Sequence, residues 1–323
     1  MAVNRRIGTR VSGRVALCAA IACAAALSPA CGYGPAPTKV KRGASVRAEG
    51  ELGRQLVRVA AAGDIACATA ESRPGCRAAE TASLVRRLDP GLVLALGDLA
   101  YEDGSLGEFK EGYAPTWGAF RQRTFPVPGN HEYGTAGAAG YRQWWGTAAT
   151  PNGHTWHSRR IGSWLLLGLD SNCSEVGGCG PGSPQGRWLA AELRQAPACV
   201  LALWHHPRRS SGPHGDNESV DPLWRALSRA RADVVLNGHD HDYERFSPLD
   251  EEAKPAAKGV REFVVGTGGK QPYPLVGNSP GSQASVQGLA GVLDLRLMRR
   301  GWAWRFVTAD GRVRDSGRSS CGG

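Results

Sequence analysis

From residue 57 onward, short apolar runs bounded by glycine or polar residues recur along the chain. VRVAAAG (57–63), LVLALG (92–97), WLLLGL (164–169), CVLALW (199–204), DVVLNG (233–238), EFVVG (262–266) and VLDLRL (292–297) have the length and content of strands. Between them, CRAAETASLVRRLD (76–89), GRWLAAELRQA (186–196) and ESVDPLWRALSRARA (218–232) set Leu, Trp and Ala at helical spacing against charged residues. This alternation predicts an α/β fold in which helices cover a sheet. The late runs, over 262–307, have no helices between them, so part of the sheet is expected to be antiparallel. No internal repeat and no second composition regime is present, and one domain over 55–320 is expected.

Residues 1–30 read differently. Arg5, Arg6, Arg10 and Arg14 precede VALCAAIACAAAL (15–27), an apolar stretch too short for a stable membrane span, and small residues close the segment at SPA. That is a secretory signal pattern, so the chain is expected to be exported. Residues 31–54 carry Pro, Gly and charge without apolar period and read as a linker. Without the signal's four Arg the formal net charge falls from +10 to +6, which gives no case for a nucleic-acid partner. The basic residues after 285 show no aromatic interleaving of a kind that would suggest base stacking and read as a solvated face.

Nine cysteines divide at the same boundary. Cys18 and Cys23 belong to the signal. Cys67/Cys76 and Cys173/Cys179 are close pairs among Gly, Pro and Ser and read as small disulfide loops, leaving Cys199 and Cys321 for a long-range bridge. Spacing alone does not set the connectivity, since six cysteines allow 15 pairings. Cys31, directly after Ala30, is the odd one out. A lipid on Cys31 would tether the chain to a membrane surface, although LSPA is a poor lipoprotein signal.

The candidate chemistry stands at the carboxyl ends of the apolar runs. VRVAAAG is followed by Asp64, LVLALG by Asp98, FPVPG by Asn130-His131-Glu132, CVLALW by His205-His206-Pro207, and DVVLNG by His239-Asp240-His241. A lone Gly-Asp after a strand is ordinarily a turn or helix cap. Five oxygen- and imidazole-bearing strand ends in one order are another matter, because open α/β sheets gather their sites there and converging acids repel unless a multivalent cation sits among them.

The series GD (63–64), GDLAY (97–101), GNHE (129–132), HHP (205–207) and GHDHDYE (238–244) resembles the five blocks of the calcineurin-like metallophosphoesterases. Within them it is most similar to the purple acid phosphatase branch: no histidine stands two after Asp64, and Tyr101 stands three after Asp98. The resemblance implies a layered β-sandwich-type core of mixed sheets flanked by helices, with the metal site at the strands' carboxyl ends. It implies one cation held by Asp64, Asp98, Tyr101 and His241, and a second by Asp98, Asn130, His205 and His239. A phenol with a pKa of roughly 10 binds as phenolate only to a strongly acidic cation. Fe(III) suits the first position, and Fe(II), Zn(II) or Mn(II) the second.

The activity implied is hydrolysis of phosphorylated small molecules, preferentially monoesters, by a hydroxide bridging the two ions. A diesterase or nucleotide-directed hydrolase on the same centre, or a surface lipoprotein that binds phospho-ligands without turnover, are the rival readings. His131 matches the family's phosphate-facing histidine and could protonate the leaving group. His214, on the loop SSGPHGDNES (210–219), is a second candidate for substrate contact, and His206 a supporting residue. Glu132 and Asp240 read as orienters, and Glu244 with Arg245 as a supporting salt bridge. GTGGK (266–270) lacks the spacing of a phosphate-binding loop and reads as a structural turn. His154 and His157 lack acidic neighbours and read as part of a Trp-lined sheet edge.

Overall fold

The computed structural model describes residues 57–67 and 75–322, so the signal, Cys31 and the whole linker lie outside the described residues. One sheet contains β1 (Val57–Ala62), β2 (Leu92–Leu96), β3 (Thr124–Val127), β11 (Gly291–Met298), β12 (Gly301–Thr308) and β13 (Val313–Ser320), in the order β13-β12-β11-β1-β2-β3. The other contains β4 (His157–Ile161), β5 (Trp164–Gly168), β6 (Cys199–Leu203), β7 (Val234–Asn237), β8 (Tyr243–Leu249), β9 (Val260–Val265) and β10 (Ser282–Val286), in the order β10-β8-β9-β7-β6-β5-β4. Both sheets are mixed. β1-β2-β3 and β5-β6-β7-β9 are parallel. The late strands β11, β12 and β13 pair antiparallel, as the absence of intervening helices predicts.

Strands buried on both faces read as unbroken apolar runs, and period-two alternation divides each run between two cores. Leu166, Leu201, Leu203 and Val234 face the core shared with the first sheet, where Trp302, Trp304 and Phe306 meet them. Leu165, Leu167, Val200 and Val235 face the opposite way, onto the helices Pro184–Arg194 and Asp221–Arg229. Leu223, Trp224 and Leu227 form the second helix's apolar stripe, and each such side chain contributes about 1.5–3 kcal/mol on burial. Ser183 caps the first of these helices by accepting from the Gly186 amide, and Pro184 pre-sets its first turn. The helix Ala78–Leu88 packs on β11 of the first sheet. Trp117, Trp164, Trp204, Trp224 and Trp302 are fully buried.

Among the described residues the cysteines pair as expected: Cys67–Cys76, Cys173–Cys179 and Cys199–Cys321. The late arginines lie on and around β11–β13, with Arg296, Arg314 and Arg318 exposed.

Candidate metal centre

The parallel strands of both sheets end at one place, and the candidate residues occupy the first positions beyond them. Asp64 comes after β1, Asp98 after β2, Asn130 after β3, His205 after β6, and His239 and His241 after β7. Turning off a strand within one or two residues needs unusual backbone: Asp64, Asp98 and His239 have φ of 59°, 50° and 74°. The glycines before them leave room. A Cβ on Gly97 would lie 2.6 Å from the His205 ring, and one on Gly129 would lie 2.1 Å from Asp98 Oδ1.

Two overlapping groups of ligand atoms result. In the first, the Tyr101 hydroxyl donates to Asp64 Oδ1 at 2.9 Å and lies 3.2 Å from both Asp98 Oδ2 and His241 Nε2. His241 Nε2 is 3.3 Å from Asp64 Oδ1. In the second, Asp98, His205 and His239 each place one ligand atom within 4.8 Å of the others, and His205 Nε2 is 3.2 Å from Asp98 Oδ2. Asp98 belongs to both groups. Between the two histidines of the 239–241 pair the chain bends tightly, with the Asp240 amide donating to the Gly238 carbonyl at 3.0 Å and the Asp242 amide to the Asp240 carbonyl at 2.8 Å. That course aims one ring at each group.

Backbone carbonyls fix the imidazole tautomers. His205 Nδ1 donates to the Leu96 carbonyl at 2.9 Å and His241 Nδ1 to the Gln271 carbonyl at 2.8 Å, which leaves each Nε2 lone pair directed at the centre. His205 Nε2 and Asn130 Oδ1 are buried with no hydrogen-bond partner among the described residues. Buried polar atoms are rarely left orphaned, and a cation is the missing partner both would accept.

The electrostatics agree. Burial pushes the Tyr101 phenol well above its ordinary range, and the charges of Asp64 and Asp98 add to it. Burial opposes protonation of His205, yet the Asp98 carboxylate outweighs it and holds the ring up at about 10. Burial and then the His205 charge press His239 down, keeping it neutral. Acids that favour a positive charge at the Nε2 of a fully buried imidazole, the atom whose lone pair faces the centre, favour a bound cation there equally. Two carboxylates, three imidazoles, an amide oxygen and a phenol therefore fit two hard-to-borderline cations.

His131 and His214 flank these groups. The His131 amide donates to Asp98 Oδ1 at 2.9 Å, its Nδ1 donates to the Glu102 carbonyl, and its Nε2 stands 3.8 Å from Asp98 Oδ2. His214 Nδ1 donates to Asp240 Oδ1 at 2.8 Å, and its ring lies 4.1 Å from that of His239. His206 packs 4.5 Å from His239, with its Nδ1 bonded to the Ser171 hydroxyl.

Glu132 orients through the backbone: its buried carboxylate accepts from the amides of Asp98, Leu99, Ala100 and Gly129, tying the loop after β2 to the loop after β3. Two expectations are corrected. Glu244 and Arg245 do not pair. Alternation on β8 sends Glu244 to Ser211 and Arg245 to Asp315. His157 stacks on Phe125 rather than a tryptophan, whereas His154 stacks on Trp156.

A sixth strand end contributes that the motif pattern does not single out. Asp170, Ser171 and Asn172 come after β5. Buried Asp170 accepts from Tyr133, Thr155 and Asn172, and the Asn172 side-chain amide donates to the Gly129 carbonyl beside Asn130. Tyr273, likewise outside the motifs, stacks on His241 at 4.0 Å.

Glu262 buttresses the loop after β6 by accepting from the amides of Arg208 and Arg209. Burial raises its carboxyl from 4.5 to about 8. A raised acid binds its proton more tightly folded than unfolded, so this contribution is present below pH 4.5 and is lost as pH climbs towards 8, at up to about 1.4 kcal/mol per pH unit. Glu262→Gln should flatten the fall of the urea midpoint between pH 5 and 8. Identical slopes in the two proteins would mean that Glu262 is ionised in the fold.

Residues 57–243 match the family model of the calcineurin-like phosphoesterases. Purple acid phosphatase 21 of Arabidopsis thaliana is 28% identical over 212 residues, covering 59% of this chain and 46% of that protein. An uncharacterized protein of Mycobacterium tuberculosis is 28% identical over 192 residues, covering 51% and 36%. The structure of the purple acid phosphatase PPD1 from yellow lupin (Lupinus luteus) shares the fold, with a TM-score of 0.65 at 19% identity over 83% of this chain and 54% of that one. The chain spans less than half the length of these two curated relatives. With the match reaching from β1 to the start of β8, the chain belongs to the calcineurin-like phosphoesterase family.

Proposed function

We propose that the chain is an exported phosphatase that hydrolyses phosphate monoesters at a two-cation centre. Asp64, Asp98, Tyr101 and His241 would hold Fe(III), and Asp98, Asn130, His205 and His239 would hold Fe(II), Zn(II) or Mn(II). The observation that carries this reading is the Tyr101 hydroxyl set 2.9–3.2 Å from three other potential ligand atoms, with Asp98 shared by both groups. When bound, the ions would supply Lewis acidity to the phosphoryl oxygens and a water-derived nucleophile at neutral pH.

The chain's own residues supply the rest. Around the centre, His131, His206 and His214 form a rim of imidazoles beside the ligand groups, where a phosphate would sit. The Glu102 carbonyl holds the proton of His131 on Nδ1, leaving Nε2 to carry a second proton to the leaving alkoxide. Asp240 orients His214 in the same manner. Export is supported by three disulfides, which persist in oxidising compartments.

The discriminating measurement is turnover of p-nitrophenyl phosphate against bis(p-nitrophenyl) phosphate by the metal-loaded chain. The proposal expects kcat/KM at least about 10-fold higher for the monoester, a difference of about 1.4 kcal/mol in barrier. The reverse order would make it a diesterase. Phosphate binding without turnover of either ester would make it a non-catalytic binder.

A further inference from the structure

The segment Gly266–Lys270 is more than a turn. It lies directly on the loop that carries Asp64: the Gly268 amide donates to the Gly63 carbonyl at 2.9 Å, and the Lys270 amide donates to the Asp64 carbonyl at 2.8 Å. Only glycine permits this approach, since a Cβ on Gly268 would lie 2.4 Å from the Gly63 oxygen and one on Gly269 would lie 2.3 Å from the Ile65 oxygen. The consequence is where Lys270 arrives. Its ammonium stands 4.0 Å from the centroid of the Tyr101 ring and 2.7 Å from Glu102 Oε1, with the side chain only 18% exposed. The Tyr101 ring is also packed against His131, at 4.4 Å.

We propose that Lys270 is a positioning residue whose ammonium, placed over the Tyr101 ring, sets the electron-donating strength of that phenol oxygen towards the cation it would hold. The inference rests on the reading of Tyr101 as an Fe(III) ligand. A cation over a π face is attracted by the ring's electron density, and the attraction grows when the phenol becomes a phenolate. The partial burial of Lys270 limits screening by solvent. Its salt bridge to Glu102 holds the ammonium in place and offsets part of its charge. Visible light absorbed by an iron(III)–phenolate pair moves electron density from ring to iron, and so away from Lys270. The ammonium makes that transition costlier.

The test is the absorption spectrum of the full chain reconstituted with Fe(III) and Zn(II). Lys270→Met and the milder Lys270→Gln should move the visible maximum to longer wavelength, and Lys270→Arg should return most of the shift. Glu102→Gln, which leaves the ammonium uncompensated, should move it to shorter wavelength. An unchanged maximum in the Lys270 variants, in protein that retains stoichiometric iron, overturns the proposal and reduces Lys270 to a structural partner of Glu102. Tyr101→Phe separates this from failure of the underlying reading. If the wild-type chain shows no visible band, or the band survives Tyr101→Phe, the phenolate assignment falls and the role of Lys270 falls with it.

Discussion

Asp98→Asn is expected to lower kcat/KM for a phosphate monoester by at least about 10³-fold, roughly 4 kcal/mol of transition-state stabilisation, while the chain still unfolds cooperatively. Asp98 is the one side chain common to both ligand groups: its carboxylate lies 3.2 Å from the Tyr101 hydroxyl and 3.2 Å from His205 Nε2. Losing its charge weakens both cation positions at once. Loss of a residue that merely orients a ligand typically costs about 10–100-fold, and loss of a shared ligand should cost more. The fold has little reason to fail. Asparagine keeps the volume and an acceptor for the His131 amide, while Glu132 holds the Asp98 backbone independently of the side chain. Metal content by mass spectrometry should fall together with activity. A variant within about 10-fold of wild type, with two ions still bound, would remove Asp98 from the centre.

Legibility in the sequence has a physical basis. A strand buried on both faces leaves an unbroken apolar run, and the residue after it must exit the sheet, so VRVAAAG-Asp64 and LVLALG-Asp98 announce themselves. β8 does not: YERFSPL mixes charge with a proline, and its buried face depends on Asp315, 70 residues away from Arg245. The same distance hid the true partner of Arg245. The division into two sheets followed from the family resemblance and not from the local pattern, because it turns on β1 pairing with β11 over more than 230 residues, as in Val57 with Leu297. Asp170-Ser171-Asn172 did carry a signal, since WLLLGLDSN repeats the pattern of apolar run and polar exit. Its small polar residues beside a disulfide loop look like any turn. The place of Lys270 could not be read at all, because it depends on how closely two glycines let one loop lie on another.

The largest expected effect on stability belongs to the Cys199–Cys321 bridge, which closes a loop of 122 residues. In the chain-entropy picture, removing a cross-link frees the unfolded chain in proportion to the logarithm of loop length. The Cys199→Ser/Cys321→Ser pair should therefore cost about 5 kcal/mol, against about 2 for Cys173→Ser/Cys179→Ser, whose loop spans 6. Set against a usual total of about 5–15 kcal/mol, the first loss approaches the whole stability of a domain. The native contacts around the bridge survive the change. Asp233 accepts from the amides of Val200 and Gly322, and the Trp164 indole donates to the Met298 carbonyl, so the two sheets remain stitched where β6 meets the end of β13. The cost thus falls on the unfolded side of the equilibrium, and the centre, at the opposite ends of β6 and β7, should keep its spectrum and metal content wherever the variant is folded. Urea midpoints of the two double variants decide the matter. Equal losses would mean that the bridge acts through local native packing, for then loop length would have no bearing on the result.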